Sequence, residues 1–421
     1  MRLIRSRLLL PVTAPPVEDG AVLVSGNRIL ASGTWKDLRH HPAAVLDLGD
    51  AVLLPGLINA HCHLDYTHLV GHLPPPRRFT DWIQGVLALK AQWSFSEYAA
   101  SWLDGARQLL HAGCTAVLDL EAVPELLAET WRATPLRLVS AFELTGVRSN
   151  RPAADILGET LARIDALDHP RHRPALAPHA PYSTRPDLVR LAARAARQRG
   201  LIATMHVSES REEYDMFRHA RGPMFQWLDS QRDLSDCGHA SPVRLVAETG
   251  LLSPATVLAH VNYLDHDDPR IIADSGTTVV HCPRSHDYFQ HAPFPLGTLR
   301  DAGVPVALAT DSLLSMRRTG RDMPRLDLRP ELATAARSFP HLSPRDLLAM
   351  VTVTPAQAIG RASVLGTLQP GTVADLVAFP CAANATDAEA ALIHSSEPVL
   401  ASMIDGEWII APPSERPGQP P

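Results

Sequence analysis

Five apolar runs in this chain finish, within a residue or two, on side chains able to bind a metal or move a proton. They are Leu57-Ile-Asn-Ala-His-Cys-His63, Ala175-Leu-Ala-Pro-His179, Leu201-Ile-Ala-Thr-Met-His-Val-Ser-Glu209, Thr256-Val-Leu-Ala-His260 and Val304-Pro-Val-Ala-Leu-Ala-Thr-Asp311. One architecture accounts for that repetition. In a (β/α)8 barrel the carboxyl ends of the strands converge on one rim, where loops vary without disturbing the packed interior, so catalytic groups collect there. The pattern predicts an α/β fold built on a (β/α)8, or TIM, barrel with its site at that rim.

His61 and His63 lie two residues apart on a strand, so both imidazoles face one way and Cys62 faces the other. Joined by His206 and Asp311, they form a set of three nitrogens and one carboxylate suited to Zn²⁺, or to Fe²⁺, with a coordination position left for water. An open position indicates catalysis. The second oxygen of Asp311 can then take a proton from that water, whose pKa the ion lowers toward neutrality. Glu209, three residues past His206, is placed to act as general acid and base.

A bare barrel needs roughly 250 residues, and this chain has 421. Residues 1–54 and 361–411 are the surplus, strand-like and broken by turns such as Ser25-Gly-Asn27, leaving 55–360 for the barrel. Residues 412–421 are rich in proline and polar groups and are expected to be a disordered tail. Apolar residues make up 45% of the chain, enough for a large core, and a net charge of −6 provides no basic face for nucleic acid. No apolar stretch is long enough to span a membrane, and the apolar segment at residues 1–10 is short for a secretory signal, so a cytoplasmic protein is expected. The five cysteines, Cys62, Cys114, Cys237, Cys282 and Cys381, are scattered and odd in number, as reduced thiols would be.

Alternation of apolar runs with helical stretches predicts strands at 57–63, 115–120, 136–143, 174–179, 201–207, 256–260, 277–282 and 304–311. Eight is the number a barrel requires. The loop after the first strand contains His68, His72 and the stiff, aromatic-tipped Pro74-Pro-Pro-Arg-Arg-Phe-Thr-Asp-Trp82, whose Trp82 could cover a flat heterocycle.

The chain resembles the amidohydrolase superfamily, and within it the nucleobase and nucleoside deaminase and chlorohydrolase branch. The likeness rests on Leu54-Pro-Gly-Leu-Ile-Asn-Ala-His-Cys-His63, Met205-His-Val-Ser-Glu209, Leu258-Ala-His260, His281-Cys-Pro-Arg-Ser285, Ala307-Leu-Ala-Thr-Asp311 and Gly366-Thr-Leu-Gln-Pro-Gly-Thr-Val-Ala-Asp-Leu-Val377, and covers nearly the whole length. It implies that the two chain ends pair as one small β-sandwich. It also implies that His61, His63, His206 and Asp311 hold the metal, that Glu209 and Asp311 move protons, and that His260 contacts the activated water. By the same likeness His179 binds substrate.

Binuclear members of the superfamily bridge their ions with a lysine ending the fourth strand. Lys36 and Lys90 are the only lysines here, and neither lies on an expected strand, so one divalent ion per chain is expected. The expected reaction is deamination of an amino-substituted heterocycle or nucleoside-like molecule, of the aminodeoxyfutalosine or adenosine type. For the former, Arg284 is the expected partner of the substrate carboxylate. His286 stands where the branch more often has Asn, and His281 is a candidate for orienting a ligand. An amidase or chlorohydrolase on the same site is the rival enzyme, and a metal-free scaffold the rival of another class. The expected partners are the small-molecule substrate and a second copy of the chain in a homodimer.

Overall fold

The computed structural model describes residues 1–147, 149–318 and 323–415. The chain opens with five strands: β1 (Arg2–Leu9), β2 (Val17–Ser25), β3 (Arg28–Thr34), β4 (Ala44–Asp47) and β5 (Ala51–Pro55). Eight parallel strands follow, each paired with the next in chain order: β6 (Leu57–Cys62), β7 (Cys114–Glu121), β8 (Arg137–Leu144), β9 (Arg173–Pro178), β10 (Ile202–Val207), β11 (Thr256–His260), β12 (Thr278–His281) and β13 (Val306–Leu308). Helices separate them, as a (β/α)8 barrel demands. All eight expected strands are present. The last is the shortest, because the backbone leaves the strand before Asp311, which takes a left-handed φ of +58°.

Closure of the barrel rests on one bridge between Cys62 and Asp311, where the Asp311 N–H donates to the His61 carbonyl at 3.1 Å. Inside, Ala116, Leu118, Leu120, Val139, Ala141, Ala175 and Ala177 pack together, while Val117, Leu138 and Leu176 pack outward against the helices. That two-residue alternation fills a barrel with small side chains and leaves no pore.

At the chain's end come β14 (Leu376–Pro380), β15 (Ala401–Ile404) and β16 (Glu407–Ile410). They join the N-terminal strands in one mixed sheet, ordered β16-β15-β14-β5-β1-β2-β3, with β4 also paired to β1. The two ends of the chain therefore pair, as the resemblance implied, here in one mixed sheet. Its alternation ties it to the barrel: Val52, Leu54, Val377 and Phe379 enter the barrel's outer core, while Ala51, Leu53, Leu376 and Ala378 enter a core of the sheet's own. Gly56 links the two layers; a Cβ there would lie 2.2 Å from the Thr115 hydroxyl, so only glycine lets β5 pass into β6 so close to β7. Among the described residues no helix is long and apolar enough to cross a membrane. Of the tail expected to be disordered, Pro413–Glu415 form a 3-10 turn, and 416–421 lie outside the described residues.

An ion-pair clamp holds sheet and barrel together. Arg137, first residue of β8, donates from Nε to Asp375 Oδ2 at 2.5 Å and from Nη2 to Asp375 Oδ1 at 3.1 Å and to Asp405. The Asp375 side chain is only 4% exposed, so removing its partner strands a buried charge. Arg137→Met should lower unfolding stability by about 3–5 kcal/mol, while Arg137→Met with Asp375→Leu should recover much of that loss. Urea denaturation of the three proteins checks this; an unchanged midpoint for the single variant would show that the clamp contributes nothing.

Candidate metal centre and active site

At the carboxyl rim His61, His63, His206, His260, Glu209 and Asp311 converge, all at most 6% exposed. Asp311 Oδ1 lies 3.5 Å from His61 Nε2 and 3.6 Å from His63 Nε2, and the ligating atoms of His61, His206 and His260 lie within 4.8 Å of one another. Glu209 Oε1 is 3.6 Å from His260 Nε2. The rim residues expected from the sequence are thus brought to one point.

Strict alternation does not by itself aim these side chains. Ile58 and Ala60 already face the barrel interior, so His61 could not face the same way on a regular strand. The β6–β7 register slips between Asn59 and Cys62: three steps along β6 match two along β7. This bulge turns His61 and His63 to the interior and leaves Cys62 in the outer core. On β11, Val257 faces in and Leu258 out, which would point His260 outward; its left-handed φ of +73° re-aims it. Ser208, Val261 and Asp311 also have left-handed backbone, a strained state for such residues that gathers at functional sites.

Hydrogen bonds then fix the orientations. His206 Nδ1 donates to the His179 carbonyl at 3.0 Å, which directs Nε2 at the cluster. Ser285 and Ser315 hydroxyls donate to Asp311 Oδ2 at 2.6 and 3.1 Å, leaving Oδ1 toward the histidines. Glu213 accepts from the N–H groups of Ser208 and Glu209 at 2.9 and 2.8 Å and so shapes the loop carrying Glu209.

The charge states match a cation site. Burial holds His63 down at about 3 and holds His206 and His260 well below the ordinary histidine range, keeping the imidazoles neutral. Burial favours the neutral Asp311 carboxyl, yet the neighbouring His61, His260 and His63 rings hold it well below the ordinary range. Burial, with Asp311 and Glu213 nearby, pushes Glu209 well up. Both ring nitrogens of His61, Nδ1 of His63 and Nε2 of His260 are buried with no hydrogen-bond partner among the described residues. Such orphaned donors and acceptors are costly unless something occupies the centre, and three imidazoles with one carboxylate suit a divalent ion.

A cavity of about 330 Å³ opens from the cluster between Tyr66, Trp82, Tyr182 and Trp227. His179 lines it, as expected, with its Nδ1 2.6 Å from the Ser183 hydroxyl. Trp82 lines it too, from the helix Phe79–Lys90 rather than from a loop, because Glu212 accepts from the Phe79 and Thr80 N–H groups and organises that first turn. His68 and His72 are exposed outside it. His281 is buried with its ring stacked on Phe294 at 3.9 Å, and His286 lies 3.2 Å from Asn262; neither lines the cavity.

Arg284 is the expectation the structure overturns. Its Nε lies 2.5 Å from Oε1 of the fully buried Glu331 and its other nitrogen donates to the Arg325 and Asp327 carbonyls, so the guanidinium faces a different cleft. A buried carboxylate with no other counter-charge captures the nearest arginine. The cavity's lysine is Lys90, at the end of the helix Phe79–Lys90, 5.1 Å from the Tyr66 ring, which in turn stacks on His63. Glu143, next to last in β8, lies on the same wall; burial favours its neutral form, but Lys90, His179 and His63 hold its pKa below the ordinary value. Sequence reading missed both. Glu143 obeys the strand-end rule that exposed the others, and Ser285 sits inside a quoted motif, whereas nothing local marks Lys90.

A barrel whose rim presents this set of ligands and a buried glutamate defines a metal-dependent hydrolase. The family model of the amidohydrolase family matches residues 52–409, and the chain belongs to that family. Among its relatives, a 5-methylthioadenosine/S-adenosylhomocysteine deaminase of Symbiobacterium thermophilum is 28% identical over 95% of this chain and 91% of its own. An aminodeoxyfutalosine deaminase of Deinococcus radiodurans is 30% identical over 78% of each chain. Among solved structures, a zinc-bound adenosine deaminase from Xanthomonas campestris superposes with a TM-score of 0.82 at 23% identity, covering 97% of this chain and 92% of the other.

The geometry makes two substitutions informative. His206→Ala should abolish tight divalent-metal binding, and Ser285→Ala, which removes one of two hydrogen bonds to Asp311 Oδ2, should weaken it by about 10–100-fold. Competition against a chromogenic chelator measures both; full affinity in His206→Ala would remove that residue from the ligand set.

Proposed function

We propose that the protein is a metal-dependent aminohydrolase that replaces an exocyclic amino group of a nucleoside-like heterocycle with oxygen, releasing ammonia. The observation that carries this reading is the position of Glu209. Its carboxyl lies 3.6 Å from His260, beside the ligand cluster, on the wall of a cavity flanked by aromatic rings. Relatives named for deamination of adenosine-type compounds support the substrate class.

His61, His63, His206 and Asp311 would hold one divalent ion, zinc above iron. When bound, it would supply Lewis acidity that makes water nucleophilic near neutral pH. Tyr66, Trp82, Tyr182 and Trp227 flank the flat ring and exclude water. Asp311, oriented by the Ser285 and Ser315 hydroxyls on Oδ2, takes a proton from the attacking water. Glu209 gives its proton to the ring nitrogen beside the carbon under attack. It then takes the hydroxyl proton of the adduct as the oxo group forms, while Asp311 passes the proton it took from water to the departing amine and His260 holds the attacking oxygen in line. Water and the aminated ring become the oxo ring and ammonia. A homodimer in the cytoplasm completes the proposal.

Glu209→Gln keeps the shape and removes the proton carrier, so kcat should fall by at least about 10²-fold while metal stays bound. An ammonia-release screen over adenosine, 5′-substituted adenosines and aminodeoxyfutalosine tests the reaction; chloride or amine release in its place, with no ammonia, would move the enzyme to the rival reactions. Elemental analysis should return close to one divalent ion per chain, and two ions both needed for turnover would overturn the mononuclear site.

If the substrate carries a carboxylate, as an aminodeoxyfutalosine does, Lys90 is its partner, being the one basic side chain other than histidine among the described residues lining the cavity. Lys90→Met should weaken binding of the carboxylated substrate by about 1–3 kcal/mol, the worth of a hydrogen bond to a charged group, and leave neutral adenosine little changed. Equal KM increases on both would assign Lys90 a structural role.

A further inference from the structure

A second cavity, of about 420 Å³, lies at the opposite end of the barrel, where the strands begin and the terminal sheet covers them. Five arginines from four stretches of the chain line it. Arg137 and Arg173 are the first residues of β8 and β9, Arg28 the first of β3, Arg171 precedes β9, and Arg361 follows the helix Val353–Ala358. One carboxylate, Asp405, shares the lining. The chain as a whole is negative, with a net charge of −6, so this concentration of positive charge is local.

Most of that charge is unspent on the fold. Arg137 is committed to Asp375 and Asp405, and Arg171 approaches Asp405 only to 4.0 Å. Arg28 and Arg173 donate to the carbonyls of Gly371 and His172, both at 3.0 Å, which satisfies a donor without neutralising a charge. The part-buried Arg361 guanidinium has neither a hydrogen bond nor an ion pair among the described residues. Its pKa is lowered by burial and by the charges of Arg173 and Arg137. Guanidiniums gathered without counter-charge repel one another, and each presents a planar fork matched to phosphate oxygens.

We propose that this cavity is a binding site for a multivalent phosphate-bearing small molecule, with Arg173 and Arg361 as its principal ligands and Arg28 and Arg171 completing the cradle. Its volume falls within the range of small-molecule sites. An anion here touches both the barrel and the terminal sheet, so occupancy tightens the junction that the Arg137 clamp already makes. The site is separated from the metal cluster by the length of β8 and β9, and its occupancy does not depend on the reaction proposed above.

The test uses the full-length, metal-loaded protein and two probes, inorganic phosphate and fructose 1,6-bisphosphate, in calorimetry and thermal melting at constant ionic strength. The bisphosphate should bind once per chain and raise Tm, and should bind at least about tenfold more tightly than phosphate because two groups engage the cradle. The double variant Arg173→Gln/Arg361→Gln should lose at least about tenfold in affinity for the bisphosphate and most of its Tm response. Without ligand, Arg361→Gln should melt no lower than the unaltered protein, because a repulsive charge is gone. Deamination of a working substrate should persist in both variants. Absence of heat with both probes, or bisphosphate affinity unchanged in the double variant, overturns the proposal. A fall in the unliganded Tm of Arg361→Gln also overturns it, since the guanidinium would then serve the fold.

Discussion

Asp311 carries the constraint on which the rest of the structure depends. Its N–H donates to the His61 carbonyl and so joins the first barrel strand to the chain beyond the last, while its carboxylate faces His61 and His63. Barrel closure and assembly of the ligand set are therefore one event: the eight strands cannot come round without bringing this carboxylate to these imidazoles. The hydroxyls of Ser285 and Ser315 then take one oxygen and commit the other to the cluster.

That arrangement stores strain. Ser208, His260, Val261 and Asp311 hold left-handed backbone at or just beyond three strand ends, a state costing of order 1–3 kcal/mol each for residues with a Cβ. The β6 bulge adds a further departure from regular pairing. What pays for these departures is the surrounding network, in which Glu213 grips the Ser208 and Glu209 N–H groups and Asn262 donates to the Glu209 carbonyl at 2.8 Å. Strand ends in this barrel are bent toward a common centre because regular strands would not reach it.

The two ends of the barrel have opposite electrostatic characters. The rim gathers carboxylates and imidazoles in a buried pocket, the environment that holds a cation. The base gathers guanidiniums against a sheet built from both chain termini. Strand length keeps the two apart, so charge at one end can be changed with little effect on the other.

Much of the fold and of the candidate metal centre was legible in the residues, because both rest on short-range periodicity. Alternation locates the eight strands, and a polar residue at the end of an apolar run has little reason to be there except chemistry, which marks His61, His63, His179, His206, Glu209, His260 and Asp311. The same reasoning could not decide between Arg284 and Lys90. An arginine's partner depends on which buried carboxylate lies within its reach, and Glu331, nearly fifty residues downstream, comes near only through packing of the helices Pro283–Phe289 and Leu328–Ser338. Lys90 reaches the cavity because the helix Phe79–Lys90 lies across the rim. Aim and partnership were left to the tertiary structure: a bulge and left-handed residues set the directions of His61, His63 and His260, and long-range counter-charges determine which basic side chain lines the cavity.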